Sequence, residues 1–272
     1  MKPRSRLPIR QVTSPANPLL KVFRRALAEG ASREGWLAVE GPHLLEEAMA
    51  SGAEVRSVLV ASAAVRTFRD LLARLPKEAE LVEIPDRVFS KVSATQTPQG
   101  LAALVELRSH DLEALLGAPN ALLVVACGVQ EPGNIGTMIR NAQALGATAL
   151  VTIKGTVSAS NPKAARASAG AIFRLPVVEG LEPAMLFGKM RRAGIQIIAA
   201  DRHSAVSVAE VDLRGPVAFL IGREGTGLSD EVAREADQIV GIPLCPGTDS
   251  VNAAMAAGIF LYEAARQRGF RY

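Results

Sequence analysis

Five near-continuous apolar runs in the second half of the chain limit its fold more than any other feature. They read ALLVVAC (121–127), ALVTI (149–153), IQIIAA (195–200), VAFLIG (217–222) and QIVGIPL (238–244). Segments of helical character separate them. A strand that is apolar on both faces belongs inside a sheet covered on both sides, the usual setting of a parallel sheet. The reading for residues 121–272 is an α/β domain built on such a sheet. Ligands of open parallel sheets bind beyond the carboxyl ends of the strands. The glycine-rich loops of this half follow those ends.

The first half also alternates. WLAVEG (36–41), EVRSVLVA (54–61), AELVEIP (79–85) and GLAALVEL (100–107) read as strands. Helices are expected over PHLLEEAMASG (42–52) and DRVFSKVSA (86–94). A third is expected over AAVRTFRDLLARL (63–75), where Val65, Phe68, Leu71, Leu72 and Leu75 share a helical face. A smaller α/β domain therefore lies near residues 36–107. The expected division is 1–107 for the basic arm and first domain, 108–120 for a linker and 121–272 for the second domain.

The chain has 272 residues, 49% of them hydrophobic, enough for two domains with full cores. No apolar run is long enough to span a membrane, and no apolar signal core follows the basic start MKPRSRLPIRQ. A soluble, cytoplasmic protein is expected, with no membrane partner. The two cysteines, Cys127 and Cys245, form no CxxC and have no histidine cluster nearby. That argues against structural zinc and rules out a disulfide framework, so no metal is expected. Both are read as small buried thiols.

Net charge is +4, and it is unevenly spread: residues 1–36 hold eight Lys and Arg against two Glu. Arg4, Arg6, Arg10, Lys21, Arg24 and Arg25 on this stretch are candidate contacts to the phosphates of a polyanionic partner. A solvated, partly disordered tail is the other reading of the same charges. With 4% aromatic residues, a base-stacking platform is not expected.

Three loops carry polar residues at strand ends. CGVQEPGNIGTMIRNAQALGA (127–147) runs from a strand through a Pro-Gly turn into a helix that presents Arg140 and Asn141 on early, exposed turns. It is no phosphate-binding P-loop, because no Gly-Lys-Ser/Thr follows. LIGREGTGLSDEVAREAD (220–237) has glycines in the order GxxGxG, which is not the dinucleotide pattern. CPGTDSVNAAMAAGIFLYEAARQRG (245–269) places Ser250 and Asn252 at the mouth of an apolar helix. Taken singly, the glycines read as turn residues, Glu224 as a surface charge and Ser250 as a helix cap. Taken together, the loops read as one site at the end of one sheet.

The stretches PGNIGTMIRNAQALGA, FLIGREGTGLS and IPLCPGTDSVNAAMAAGIFLYEAAR resemble, in order and spacing, the three signature motifs of the SpoU/TrmH family of RNA ribose 2′-O-methyltransferases, within the SPOUT superfamily. NPKAARASAGAIFRLPVV (161–178) resembles the segment between the first two motifs, and its Lys163 and Arg166 are further candidates for RNA contact. The N-terminal half is similar to the ribosomal-protein-like RNA-binding domain that many members carry. The resemblance implies a C-terminal parallel-sheet SPOUT domain with a deep trefoil knot, an N-terminal RNA substrate-binding domain, a homodimer and S-adenosylmethionine as methyl donor. It implies catalytic roles for Asn134, Arg140, Glu224, Ser250 and Asn252. It implies cofactor contacts at Gly222, Ile242 and Val251, with Leu244 close by. Two positions depart from the pattern: Val251, where many members have Leu, and Glu131, where many have Asn.

The implied reaction is an in-line methyl transfer to a weakly acidic ribose hydroxyl. A guanidinium stays protonated above pH ~12, so Arg140 reads as a grip on RNA phosphate and a stabiliser of the developing alkoxide. Ser250 and Asn252 would orient the hydroxyl beside a helix N-terminus, with Glu224 holding Asn134 or Arg140. Ribosomal RNA is the expected substrate, because an extra domain suits a large structured RNA. Transfer RNA is the close alternative. A non-catalytic RNA-binding or ribosome-assembly protein of the same fold is the rival from another class, and a nucleotide-dependent dehydrogenase is a distant third.

Overall fold

The computed structural model describes residues 8–31 and 35–271. In chain order the first half forms β1 (Ile9–Gln11), α1 (Pro18–Glu29), β2 (Trp36–Glu40), α2 (Pro42–Ala50), β3 (Val55–Ala61), α3 (Arg69–Leu72), β4 (Glu80–Ile84), α4 (Asp86–Val92) and β5 (Leu101–Glu106). Their sheet runs β1-β4-β3-β5-β2. The first three strands are parallel, and β5 lies antiparallel to both β3 and β2. Phe23 and Leu27 of α1 and Phe89 of α4 are buried on one face, against Leu59, Val82 and Leu104.

The second half forms α5 (Leu112–Leu116), β6 (Leu122–Ala126), α6 (Pro132–Ala144), β7 (Ala149–Ile153), α7 (Pro162–Ala167), β8 (Val177–Leu181), α8 (Pro183–Arg192), β9 (Gln196–Ala200), β10 (Val217–Ile221), α9 (Asp230–Ala233), β11 (Gln238–Val240) and α10 (Ala253–Gln267). The order is β11-β9-β10-β6-β7-β8, and every pairing is parallel. The strand order turns back between β6 and β10, the usual place for a ligand crevice. Leu123, Val125, Ala218 and Leu220 face a core closed by Leu186, Phe187 and Met190 of α8. Phe219 points to the other face and meets Phe260 of α10 edge-on, ring centroids 5.2 Å apart. Phe260 is fully buried, so truncating it to alanine would cost about 3–5 kcal/mol.

The five apolar runs all became strands of this sheet. The sixth strand, β8, was not expected, because its residues are half-buried or exposed at the sheet edge and show no apolar run. The helix expected over 63–75 shrinks to a 3₁₀ turn at Ser62–Ala64 and the single turn of α3. Val65, Thr67 and Phe68 are weak helix formers, and Phe68 leaves helical geometry at φ −98°, ψ 18°. Part of the basic stretch read as an arm or tail is folded: β1 pairs with β4, and α1 starts at a cap in which Asn17 accepts from the Leu19 amide at 2.9 Å.

Two compact units divide the chain. One takes residues up to Arg108 together with Ser160–Phe173; the other takes Ser109–Ala159 and everything from Arg174 on. This differs from the expected boundaries in two ways. Residues 160–173 lie within the stretch assigned to the second domain, yet α7 packs on α1 and β2. Gly30 permits that approach, since a Cβ there would sit 2.3 Å from the Ser160 carbonyl oxygen. The stretch expected as a linker contains α5, whose Leu116 is buried in the core of the second unit.

The cysteine expectation is corrected for one residue. Cys127 is buried, and burial pushes its thiol up to about 12. Cys245 is exposed, because it sits in an irregular loop that no element covers. Among the described residues no helix is long and apolar enough to cross a membrane, and no group of three or more His, Cys, Asp or Glu is placed to hold a metal ion.

Candidate active site

Three loops leave the carboxyl ends of β6, β10 and β11, and their side chains meet. α6 begins at Glu131, whose side chain accepts from the Gly133 amide at 3.3 Å, so the glutamate that replaces the more common asparagine still caps the helix. In the first turn of α6, Asn134 donates from Nδ2 to Oε1 of Glu224 in the β10 loop. Its Oδ1 accepts from Nδ2 of Asn252 at 2.9 Å. Asn252 is the N-cap of α10: its Oδ1 accepts from the amides of Ala254 at 2.9 Å and Met255 at 3.2 Å. The cap is therefore Asn252, and Ser250 lies two residues outside the helix, exposed. One asparagine ends the helix correctly and spends its amide hydrogens on another loop.

The β10 loop is shaped by its own backbone. Arg223 and Gly227 exchange two backbone hydrogen bonds of 3.0 Å, with Gly225 at φ 82° and Gly227 at φ 72°. A Cβ on Gly222 would sit 2.3 Å from the Gly227 carbonyl carbon and 2.5 Å from its oxygen. Glycine is needed at 222 for the turn to close, before any ligand is considered.

A cavity of about 210 Å³ opens beside this turn. Gly222, Glu224, Ile242, Leu244, Ser250 and Val251 all line it, so the four residues expected to hold a cofactor share one space. Ala253, Ala256 and Phe260 of α10 form an apolar wall. Among the described residues the amides of Ile242, Leu244 and Val251 make no backbone hydrogen bond. Free amide donors, a small-residue apolar wall and a nearby carboxylate suit a ligand with a flat heterocycle, polar edges and a positive charge. The residues present therefore fit S-adenosylmethionine.

Asn134 and Asn252 do not line the cavity; they hold its rim through Glu224. Arg140 lies outside this cluster. It sits in the third turn of α6, about 9 Å along the axis from Asn134 by helical rise. It was expected on an early turn; thirteen helical residues from Pro132 place it later. It is exposed, with no hydrogen bond or ion pair among the described residues. Asn141, expected to be exposed beside it, turns inward instead and donates to the Ala254 carbonyl at 3.0 Å. That contact is possible because Gly258 gives it room: a Cβ there would be 2.9 Å from Asn141 Nδ2.

Sequence reasoning missed Asp201, Arg202 and His203, which also line the cavity. They directly follow β9, so the strand-end rule that picked out the other loops applies to them equally. Of the expected RNA contacts, Arg4 and Arg6 lie outside the described residues. Arg10 pairs with Glu80 at 2.7 Å and Arg25 with Glu29 at 2.7 Å, both exposed. Arg24 donates to the Lys91 carbonyl at 3.2 Å. Lys21, Lys163 and Arg166 are exposed on α1 and α7.

The sequence profile of the SpoU rRNA Methylase family matches residues 121–262, and that of the MRM3-like substrate binding domain matches residues 25–103. The chain is 30% identical to the 23S rRNA (guanosine(2553)-2′-O)-methyltransferase RlmP of Bacillus subtilis, over 93% of this chain and 98% of that protein. It is 32% identical to a 23S rRNA (uridine(2479)-2′-O)-methyltransferase of Streptomyces viridochromogenes, over 87% of this chain and 85% of the other. The crystal structure of the SpoU methyltransferase AviRb from Streptomyces viridochromogenes, in complex with the cofactor AdoMet, superposes with a TM-score of 0.82 at 30% identity, covering 93% of this chain and 98% of that one. The chain belongs to the SpoU rRNA methylase family.

Proposed function

We propose that this protein transfers a methyl group from S-adenosylmethionine to a ribose 2′-hydroxyl of ribosomal RNA. The observation that carries the reading is the Glu224–Asn134–Asn252 hydrogen-bond chain, which ties the three strand-end loops together at the rim of the cavity. The relatives that act on 23S rRNA support the substrate class, and the AdoMet-bound neighbour supports the donor.

S-adenosylmethionine, when bound, supplies a methyl group on a positively charged sulfur. Gly222, Ile242, Leu244 and Val251 would hold it, largely through backbone groups. Glu224 fixes Asn134, and Asn134 with Asn252 fixes the first turn of α10, so the N-terminal end of that helix faces the reacting oxygen with a positive dipole. Ser250 lines the cavity, and in this reading it orients the ribose hydroxyl. Arg140 has no partner among the described residues and is free to take an RNA phosphate, which lowers the free energy of the developing alkoxide. The first unit serves as the RNA substrate-binding domain. The deep trefoil knot and the homodimer implied by the resemblance belong to the same reading. Met255 and Tyr262, seven residues apart on α10 and both more than half exposed, support an apolar seam on that helix.

The test is methylation of ribosomal and transfer RNA with methyl-labelled S-adenosylmethionine. Transfer to ribosomal RNA at a linkage that then resists alkali is the expected result. Transfer to a 2′-deoxy target would mean the acceptor is a base atom. Transfer to tRNA alone would overturn the substrate class, and RNA binding without any transfer would make the protein a non-catalytic binder.

A further inference from the structure

Within the first unit, α4 has two working faces that no assigned role uses. One face lines a hollow of about 270 Å³ with Asp86 and Ser90; Gln99 and Gly100 close its far side, and Ala61 and Ala64 form its floor. Asp86 uses one carboxylate oxygen on the Ala63 amide at 3.1 Å, leaving the other to accept a hydrogen bond. Gln99 is exposed, so its amide can both donate and accept. The floor is small and apolar, because a Cβ on Gly100 would already sit 2.7 Å from that of Ala64.

The neighbouring face is basic. Arg87 and Lys91 lie one helical turn apart, both exposed. Arg24 of α1 donates to the Lys91 carbonyl at 3.2 Å, so α1 is fixed alongside the end of α4. Lys21 lies one turn before Arg24 on α1 and is also exposed. None of Lys21, Arg24, Arg87 or Lys91 has an acidic partner among the described residues, whereas Arg10 and Arg25 elsewhere on the unit are both paired. The loop from 93 to 100 that walls the hollow has no charged residue. It is held from behind by Glu40, which accepts from Ser93 Oγ at 2.6 Å and Thr95 Oγ1 at 2.7 Å.

We propose that this surface docks a single-stranded segment of the RNA substrate. Phosphates lie along Lys21, Arg24, Lys91 and Arg87, and one unstacked base enters the hollow, where its polar edge meets Asp86 and Gln99. The strip supplies charge without sequence information, and the hollow supplies a preference among bases. This rests on the reading of the protein as an RNA methyltransferase.

The experiment uses the full chain and a fluorescein-labelled single-stranded RNA oligonucleotide, with affinity measured across a salt series. Wild type must bind; a protein that methylates ribosomal RNA but does not bind the oligonucleotide has no single-strand dock here, whereas one that does neither faults the methyltransferase reading itself. R87E/K91E should weaken binding at least ~10-fold and flatten the salt slope by roughly 1.4, about 0.7 for each lost contact on a single strand. Q99A should weaken binding about fivefold, the scale of one hydrogen bond, with the salt slope unchanged. Arg192→Glu, an exposed charge on α8, serves as the control for non-specific charge loss. Melting temperature and S-adenosylmethionine affinity should be unchanged in all three. If R87E/K91E binds RNA as Arg192→Glu does, the strip is not a docking surface. If Q99A leaves affinity unchanged for oligonucleotides of every base composition, the hollow holds no base.

Discussion

Asn252 donates from Nδ2 to Oδ1 of Asn134 at 2.9 Å, while its own Oδ1 caps α10 through the amides of Ala254 and Met255. One side chain thus terminates a core helix and fixes the first turn of α6, 118 residues away in sequence.

The two duties can be separated. Asn252→Asp keeps the capping oxygen but loses the donor to Asn134. It should melt as wild type does, with kcat lowered about tenfold, the upper range for one hydrogen bond, and little change in KM for S-adenosylmethionine. Asn252→Ala should lose both, melting earlier by an amount equal to about 1 kcal/mol. Equal kcat in Asn252→Asp and wild type would reduce Asn252 to a cap.

Arg140 should matter for turnover and not for folding, because its side chain is exposed and has no partner to lose among the described residues. Arg140→Ala should fold, bind S-adenosylmethionine, and lose at least ~10²-fold in kcat, the usual scale for one preorganised electrostatic group. Single-turnover assays with ribosomal RNA check this. A fall in S-adenosylmethionine affinity instead would place Arg140 at the cofactor.

Gly222 is required by the Gly227 backbone. Gly222→Ala should therefore loosen the β10 turn in the ligand-free protein, with faster hydrogen exchange at the Arg223 and Gly227 amides, and S-adenosylmethionine affinity should drop as a consequence. Unchanged exchange together with lost affinity would show that the glycine serves the ligand directly.

Glu263 is almost fully buried on α10 and bonds Arg266 at 2.7 Å and Gln267 at 2.9 Å. The Arg266 guanidinium holds its carboxyl below the ordinary range, against the opposing effect of burial. A depressed carboxylate contributes its stability in full above the unfolded value, about 4.3, and loses it as pH falls through the lower folded value. Glu263→Gln should be less stable than wild type at neutral pH, and the gap should close on acidification below pH ~4. Urea melts at a series of pH values measure it; a gap that holds constant with pH would show that the charge contributes nothing.

The sequence by itself marked five strands of the second unit's sheet and the three polar loops at their ends. Strands buried on both faces must be apolar throughout, so β6, β7, β9 and β10 were legible as runs; β11, at one edge, was legible because its run continues through Val240 and Ile242, although Gln238 and Ile239 are exposed. The loops at their ends could be read as a site before any contact was known. The sixth, β8, sits at an edge where burial does not dictate composition, and it left no such mark. Only the tertiary structure decided the contacts that join distant residues. It made Asn252 the cap and partner of Asn134, turned Asn141 inward against Gly258, and set Gly222 against Gly227. It placed Asp201, Arg202 and His203 on the cavity and moved residues 160–173 into the first unit. Periodicity reports which face of an element is buried. It does not report what covers that face, because the covering element comes from far along the chain and is chosen by packing.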